Sequence, residues 1–330
     1  MHQAASPPPK SSQGDARRGR AEALASSAVR AVVTGGAGFI GSHVCDRLLA
    51  ADHDVVVIDD LSTGRRENVP GAAALEVVDV AEEQDVARVV EQVRPGLICH
   101  LAAQASVTVS VRDPGRDLEV NVRGTFNVLQ AAQSVGARVI FASTGGALYG
   151  DQAPIPSPED ASPPQPLAPY GASKLAAEAY VGTWSRLHGI TNVVLRLGNV
   201  YGPRQTPHGE AGVVAIFSDR LLRGERPVVY GDGLQTRDYI HVYDVAAAFL
   251  ALAETGEGTY NVGCGRERSV LELLEVLQRA AGTHLEPIYE PLRSGELLRS
   301  ALDSSRLRRV GWRPEVEFED GLSSTLDTYR

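Results

Sequence analysis

Ala31-Val32-Val33-Thr34 runs straight into Gly35-Gly36-Ala37-Gly38-Phe39-Ile40-Gly41, and Ser42 to Ala50 follows with the texture of a helix. Strand, glycine turn and helix start, in that order, make a backbone cradle for an anion. Gly35, Gly38 and Gly41 have GxxGxxG spacing, and Gly36, Gly38 and Gly41 also satisfy GxGxxG. Glycine lets the chain turn sharply and approach a pyrophosphate, while a helix start offers free N–H groups and a positive dipole end. A second strand, Val55 to Ile58, ends in Asp59-Asp60, eighteen residues past Gly41. A carboxylate there accepts from ribose hydroxyls and repels a 2′-phosphate, so NAD is expected over NADP. Arg65 and Arg66, close by, keep NADP open. Asp79-Val80 is placed to flank an adenine, although an exposed turn acid explains Asp79 equally well.

Working outward, further strands are expected at Leu75 to Val78, Leu97 to Leu101, Val139 to Ala142 and Val193 to Leu197. Amphipathic stretches, Asp85 to Val93 and Val120 to Val135, lie between them. Continuous β-branched runs alternating with helices imply parallel strands covered on both faces, a Rossmann-like, doubly wound α/β sheet. We expect it over residues 28–200, with one later strand near 258–263. Beyond residue 200 glycine and proline loosen the rhythm, and helices are expected at Val214 to Leu222, Val242 to Ala253 and Val270 to Ala281. Residues 201–330 therefore read as a smaller, partly discontinuous α/β lobe for substrate. Residues 1–27, rich in Ala, Ser, Pro and Arg, read as a disordered tail, or as a mis-assigned start or vector remnant.

Composition narrows the function. The 330 residues carry 32 Lys plus Arg against 41 Asp plus Glu, a net charge of −9, which argues against a nucleic-acid binder. Cys45, Cys99 and Cys264 form no CxxC pair, so neither a disulfide framework nor a zinc site is indicated, and a cytoplasmic location is expected. The longest strongly apolar run, Val245 to Ala253, is far below the ~20 residues of a membrane helix.

Tyr170-Gly171-Ala172-Ser173-Lys174 carries the chemistry. Pro169 suits a helix start, which puts Tyr170 and Lys174 four apart on one face. A free phenol, pKa ~10, is a poor base near neutrality. A nearby ammonium and a cationic nicotinamide ring would stabilise the phenolate, letting Tyr170 take a proton from a hydroxyl as hydride leaves the same carbon.

Glycine loop and YxxxK pair together resemble the extended short-chain dehydrogenase/reductases, and more closely the nucleotide-sugar epimerases of the UDP-glucose 4-epimerase type. The resemblance covers residues 29 to about 328. It includes His100-Leu101-Ala102-Ala103-Gln104, Asn121-Val122-Arg123-Gly124-Thr125, Ser143 to Gly150, Arg196 to Arg204, Arg237 to Val242 and Arg293-Ser294-Gly295-Glu296. It implies that Leu101, Ala102, Ala103 and Asn121 join Phe39, Ile40 and the glycines around the cofactor. A hydroxyl after the fifth strand would bridge sugar and tyrosine. Thr144 is favoured and Ser143 lies beside it; the best-known epimerases carry serine at Gly145's place. Gln104 and Ser106 would face the sugar, Asn199 both sugar and diphosphate, and Arg237 and Arg293 the diphosphate. Val229 and Tyr230 would flank uracil, Glu296 would hold the ribose, and Ser300 would sit where a bulky tyrosine excludes N-acetyl sugars.

The 4,6-dehydratases of the superfamily carry Asp-Glu after this threonine, and uronate decarboxylases keep a glutamate in the segment; here Gly145-Gly146 stands instead. The resemblance thus implies reversible, NAD-dependent 4-epimerisation of a UDP-hexose by a homodimer pairing helices near 120–135 and 170–188, with Ala176, Ala177 and Ala179 allowing close approach. Uronate epimerases have threonine at Asn199's place and arginine at Thr206's, which makes UDP-glucuronate the weaker substrate reading. A net NAD-dependent oxidoreductase and a non-catalytic dinucleotide sensor are the competing classes.

Overall fold

A computed structural model describes residues 29–161, 164–207, 212–292 and 297–330. The tail expected over residues 1–27 lies outside them, as do Arg293 and Glu296. The chain opens with β1 (Arg30–Thr34), α1 (Phe39–Leu49), β2 (Asp54–Ile58), β3 (Ala74–Glu76), α2 (Glu83–Val93) and β4 (Leu97–His100). Then α3 (Val107–Arg112), α4 (Pro114–Leu118), a π turn (Glu119–Arg123) and α5 (Gly124–Val135) lead to β5 (Arg138–Thr144), α6 (Pro169–His188) and β6 (Val193–Leu197). After β7 (Asn199–Tyr201) come α7 (Val213–Leu222), β8 (Val228–Tyr230), β9 (Thr236–Arg237), β10 (Tyr239–His241), α8 (Val242–Ala251) and β11 (Gly258–Val262). The chain continues through β12 (Arg268–Ser269), α9 (Val270–Ala281), β13 (Ile288–Glu290), α10 (Ser305–Arg309) and α11 (Phe318–Asp327).

Seven strands form one parallel sheet in the order β11-β6-β5-β4-β1-β2-β3. Their apolar runs are continuous because both faces are covered. On one face α1 and α8 bring Val44, Leu48, Val245 and Phe249 against Val33 and Cys99. On the other, α2, α5 and α6 bring Val86, Val90, Leu129 and Val181 against Val32 and Ile98. Winding reverses between β1 and β4, so the loops at the carboxyl ends of these strands part there into a crevice.

A second core gathers Tyr201, Phe217, Val229, Tyr239, Leu273, Leu277 and Leu322 from β7, α7, β8, β10, α9 and α11. The α9 helix buries Val270, Leu273, Leu274 and Leu277 at helical spacing, and its start is fixed by a Ser269–Glu272 capping box. Ile240 and α8 instead belong to the core of the large sheet, although they follow residue 200.

Two elements differ from their sequence-based expectation. The third strand is Ala74–Glu76, not Leu75 to Val78: Val78 N–H donates to Asp59 O at 3.3 Å as the chain bends across the end of β2. The helix expected over Val120 to Val135 begins as the π turn, whose extra residue per turn sets Asn121 against the loop after β4.

Candidate active site

The cradle is built by steric necessity. Gly35 has φ +71, and a Cβ there would stand 2.7 Å from Ala102 N; a Cβ on Gly41 would collide with Gly35 O. Helix α1 starts at Gly38 with no side-chain cap and no acid in its first turn, so its leading N–H groups and dipole face the loop unopposed. Gly38, Phe39 and Ile40 are half-buried at the mouth.

Asp59 is buried beneath the loop and accepts from Ala37 N–H and Leu61 N–H, both at 2.9 Å. Burial raises its carboxyl above the ordinary range, against the pull of those two donors. Asp60 accepts from Ser62 N–H and hydroxyl. Arg116 spans Asp79 at 3.0 Å and Asp60 at 3.9 Å, joining the loops after β2 and β3. Val80 is buried against Gly124.

Thr34 Oγ1 accepts from the N–H groups of Leu101 and Ala102 at 3.2 Å and meets His100 Nδ1 at 2.7 Å. His100 is fully buried between Thr34 and Thr125, and burial pushes it down to about 3, so it stays neutral. Ala103 follows, half-buried, and then Gln104 meets Asn121. Gln104 N–H donates to Asn121 Oδ1 at 2.9 Å, and Asn121 Nδ2 donates to Gln104 O, Asp117 Oδ1 and Ser173 Oγ at 3.0–3.1 Å. Gln104 Nε2 donates to Asp117 Oδ1 and Ser106 O, and the Ser106 hydroxyl caps α3. The polar ends of Asn121, Gln104 and Ser106 are thus engaged with one another and with Asp117, a buried carboxylate that its exposed neighbours Arg116 and Leu118 hid in the sequence.

Adjacent residues of β5 point to opposite sides. Thr144 lies beside the phenol of Tyr170 and favours its ionised form, whereas Ser143 Oγ donates to Glu178 Oε1 at 2.5 Å. Burial pushes the phenol up to about 12; Thr144 pulls it down and the Asp117 charge adds to the rise. Lys174, buried on the same face of α6, places Nζ 4.5 Å over the Phe141 ring. Among the described residues no protein group hydrogen-bonds its ammonium. Burial lowers it to about 8, while Asp117 and Glu178 oppose that fall.

Glu178, eight residues past Tyr170, takes a two-pronged ion pair from Arg196, with Nη2 to Oε2 at 2.7 Å and both side chains almost wholly buried. Arg196 also donates to the Tyr149 hydroxyl at 2.9 Å. The signal for Glu178 was in the sequence: Tyr170, Lys174 and Glu178 repeat every four residues.

Gly145 is explained by its neighbour. A Cβ there would sit 2.5 Å from a Leu302 methyl, and Leu302 is fixed by its N–H donating to buried Asp238 at 3.0 Å. Asn199 Oδ1 stands over Gly146. Ser300 is buried, Val229 lies inside the second core, and Tyr230 and Arg237 are half-buried on β8 and β9.

This arrangement fits a pyridine dinucleotide: a tight amide cradle for its pyrophosphate, acids at the end of β2, and a buried ammonium without a protein acceptor. The chain matches the NAD dependent epimerase/dehydratase family over residues 31–263. It belongs to this family. NAD is its cofactor, and its fold is that of the extended short-chain dehydrogenase/reductases. A UDP-glucose 4-epimerase of Mycolicibacterium smegmatis is 44% identical over 310 residues, covering 92% of this chain and 99% of its own. The Thermus thermophilus UDP-glucose 4-epimerase, solved with NAD, is 46% identical with TM-score 0.86, covering 91% and 98%. The Thermotoga maritima enzyme, solved with UDP-glucose, is 43% identical with TM-score 0.89, covering 91% and 98%. Among the described residues, no helix is long and apolar enough to cross a membrane.

Proposed function

We propose that this family member catalyses reversible 4-epimerisation of a UDP-hexose, UDP-glucose and UDP-galactose, through a 4-keto sugar. The observation that carries the reading is the placing of Thr144 and Lys174 beside the Tyr170 phenol, in a site where glycines 145 and 146 supply no carboxylate. Elimination and decarboxylation need an acid or base beyond the tyrosine; hydride transfer at one carbon does not.

Thr144 holds the sugar 4-hydroxyl and passes its proton to Tyr170. The C4–H bond breaks with its electron pair, leaving the ketone. Bound NAD supplies the acceptor for that hydride and, when oxidised, a positive ring that lowers the phenol. The keto sugar turns about its phosphate linkage and offers its other face; hydride returns to C4, and Tyr170 returns the proton through Thr144. Lys174 keeps positive charge beside the phenolate and holds the nicotinamide ribose.

The β2 acids Asp59 and Asp60 take the adenosine ribose, and Asp79-Val80 the adenine. Residues Leu101 to Ala103 line the nicotinamide side, and Asn121 fixes that loop. Gln104 and Ser106 border the sugar site, Asn199, Arg237 and Arg293 hold the diphosphate, and Tyr230 and Glu296 the uridine, with the Val229 side chain packed in the core behind Tyr230. Buried Ser300 leaves room at C2, which favours UDP-GlcNAc and UDP-GalNAc as a second pair. Residues 28–200 with β11 form the cofactor half, and most of 201–330 the substrate half. Three unpaired thiols fit a cytoplasmic location.

A homodimer uses the outer face of α6, where Ala172, Ala176, Ala179, Tyr180, Thr183 and Leu187 form an exposed, uncharged stripe; Ala177 instead packs inward. Sedimentation at dimer mass supports it and monomer mass refutes it. The test of function is to incubate the purified protein with UDP-galactose, UDP-GlcNAc and UDP-glucuronate separately, without added cofactor. UDP-galactose should give UDP-glucose; no interconversion of any sugar overturns the reading, and net release of a keto sugar favours the oxidoreductase.

A further inference from the structure

The sequence contains two lysines against thirty arginines, Lys10 and Lys174. Arginine stays charged in any environment, whereas a lysine ammonium moves its pKa readily when buried. The only lysine among the described residues is therefore the one whose charge the site must hold against desolvation.

Its surroundings can be enumerated. From α6 itself come Tyr170 and Glu178; from β4, neutral His100; from β6, Arg196; from α4, Asp117. Glu178 is neutralised by the two-pronged contact from Arg196. Asp117 has no such partner. Its Oδ1 accepts only from the amides of Gln104 at 2.8 Å and Asn121 at 3.1 Å, and neighbouring Arg116 is turned away to Asp79. Among the described residues no cation lies within ion-pair distance of the Asp117 carboxylate. The Asn121 amide that holds Asp117 also donates to Ser173, the residue before Lys174, at 3.0 Å. A buried, hydrogen-bonded and unneutralised negative charge is thus fixed against the face of α6 that carries the tyrosine and the lysine.

We propose that Asp117, acting through space and not as a direct ion pair, is the positioning residue that keeps the Lys174 ammonium charged in a buried site and sets the pH range over which the Tyr170–Lys174 pair works. The proposal rests on the proposed role of that pair. The sign follows from Coulomb's law. A negative charge favours the ammonium and disfavours the phenolate, so it raises both pKa values, as it does here for Lys174 and Tyr170.

With lysine labelled at ¹³Cε, the protein gives two side-chain signals, and Lys10 serves as reference. The wild-type Lys174 signal should titrate at about 8. In D117N the midpoint should fall by about one pH unit, and D117E should restore it. Both limbs of the kcat/KM profile should move to lower pH in D117N, whereas loss of packing alone lowers the profile without sliding it. An unchanged Lys174 midpoint in D117N overturns the proposal. Should D117N not fold, D117S is read on the same signal, and a wild-type midpoint below about 7 overturns the proposal without any variant. The titration needs no sugar turnover, so it stays readable if the epimerase reading fails.

Discussion

At the residue scale, the chemistry divides between two adjacent hydroxyls. Thr144 meets the Tyr170 phenol, and Ser143 donates to a buried carboxylate behind it. T144A should lower kcat about 10²-fold, the size of a lost proton-transfer partner, and T144S should recover most of that. S143A should leave kcat near wild type while costing about 1.5–3 kcal/mol, since it removes a hydrogen bond to a charged group. Steady-state kinetics beside urea titration separates the two; a large kcat loss in S143A with none in T144A contradicts the assignment. Sequence left both hydroxyls open, because the direction each side chain of a strand takes depends on a register that only tertiary packing fixes. Gly145 was equally opaque: its reason is Leu302, more than 150 residues away.

At the element scale, α6 is the part that must not roll. Pro169 starts it, Tyr170 and Lys174 face the site, and Glu178 bolts it to β5 through Ser143 and to β6 through Arg196. E178A should lose about 3–5 kcal/mol, because it strands a buried guanidinium. E178A/R196M, which removes both charges, should recover part of that loss. Chemical denaturation reads both, and an E178A protein as stable as wild type contradicts the role. Helix α6 was legible from its proline and its four-residue spacing. The π turn was not, since the apolar pattern of Val120 to Val135 reads as one helix and nothing local marks the residue inserted at Asn121. That turn brings Asn121 and Asp117 to the loop after β4, so the sequence named Asn121 and passed over Asp117.

At the scale of the whole molecule, the sheet was legible because burial on both faces demands continuous apolar strands. The return of residues 239–262 to that sheet's core was only partly so, because loops interrupt the rhythm there. Two buried histidines mark the junction. His43 on α1 meets Pro203 O at 3.0 Å, and His241 lies edge-to-face between Tyr201 and Tyr243. Burial holds His241 down to about 4 against an ordinary 6.5, so the fold binds it neutral and the unfolded chain lets it charge. Its contribution is present above about 6.5 and is lost as pH falls towards 4. H241N should therefore lose less stability than wild type over that interval, by thermal denaturation; equal losses contradict the sign. The central claim is that the hydrogen on C4 leaves and returns as a hydride without meeting water. UDP-galactose deuterated at C4, turned over by the purified protein in ordinary water, should yield UDP-glucose with the deuterium still on C4 and a slowed rate. Exchange of that deuterium for solvent hydrogen would contradict the account.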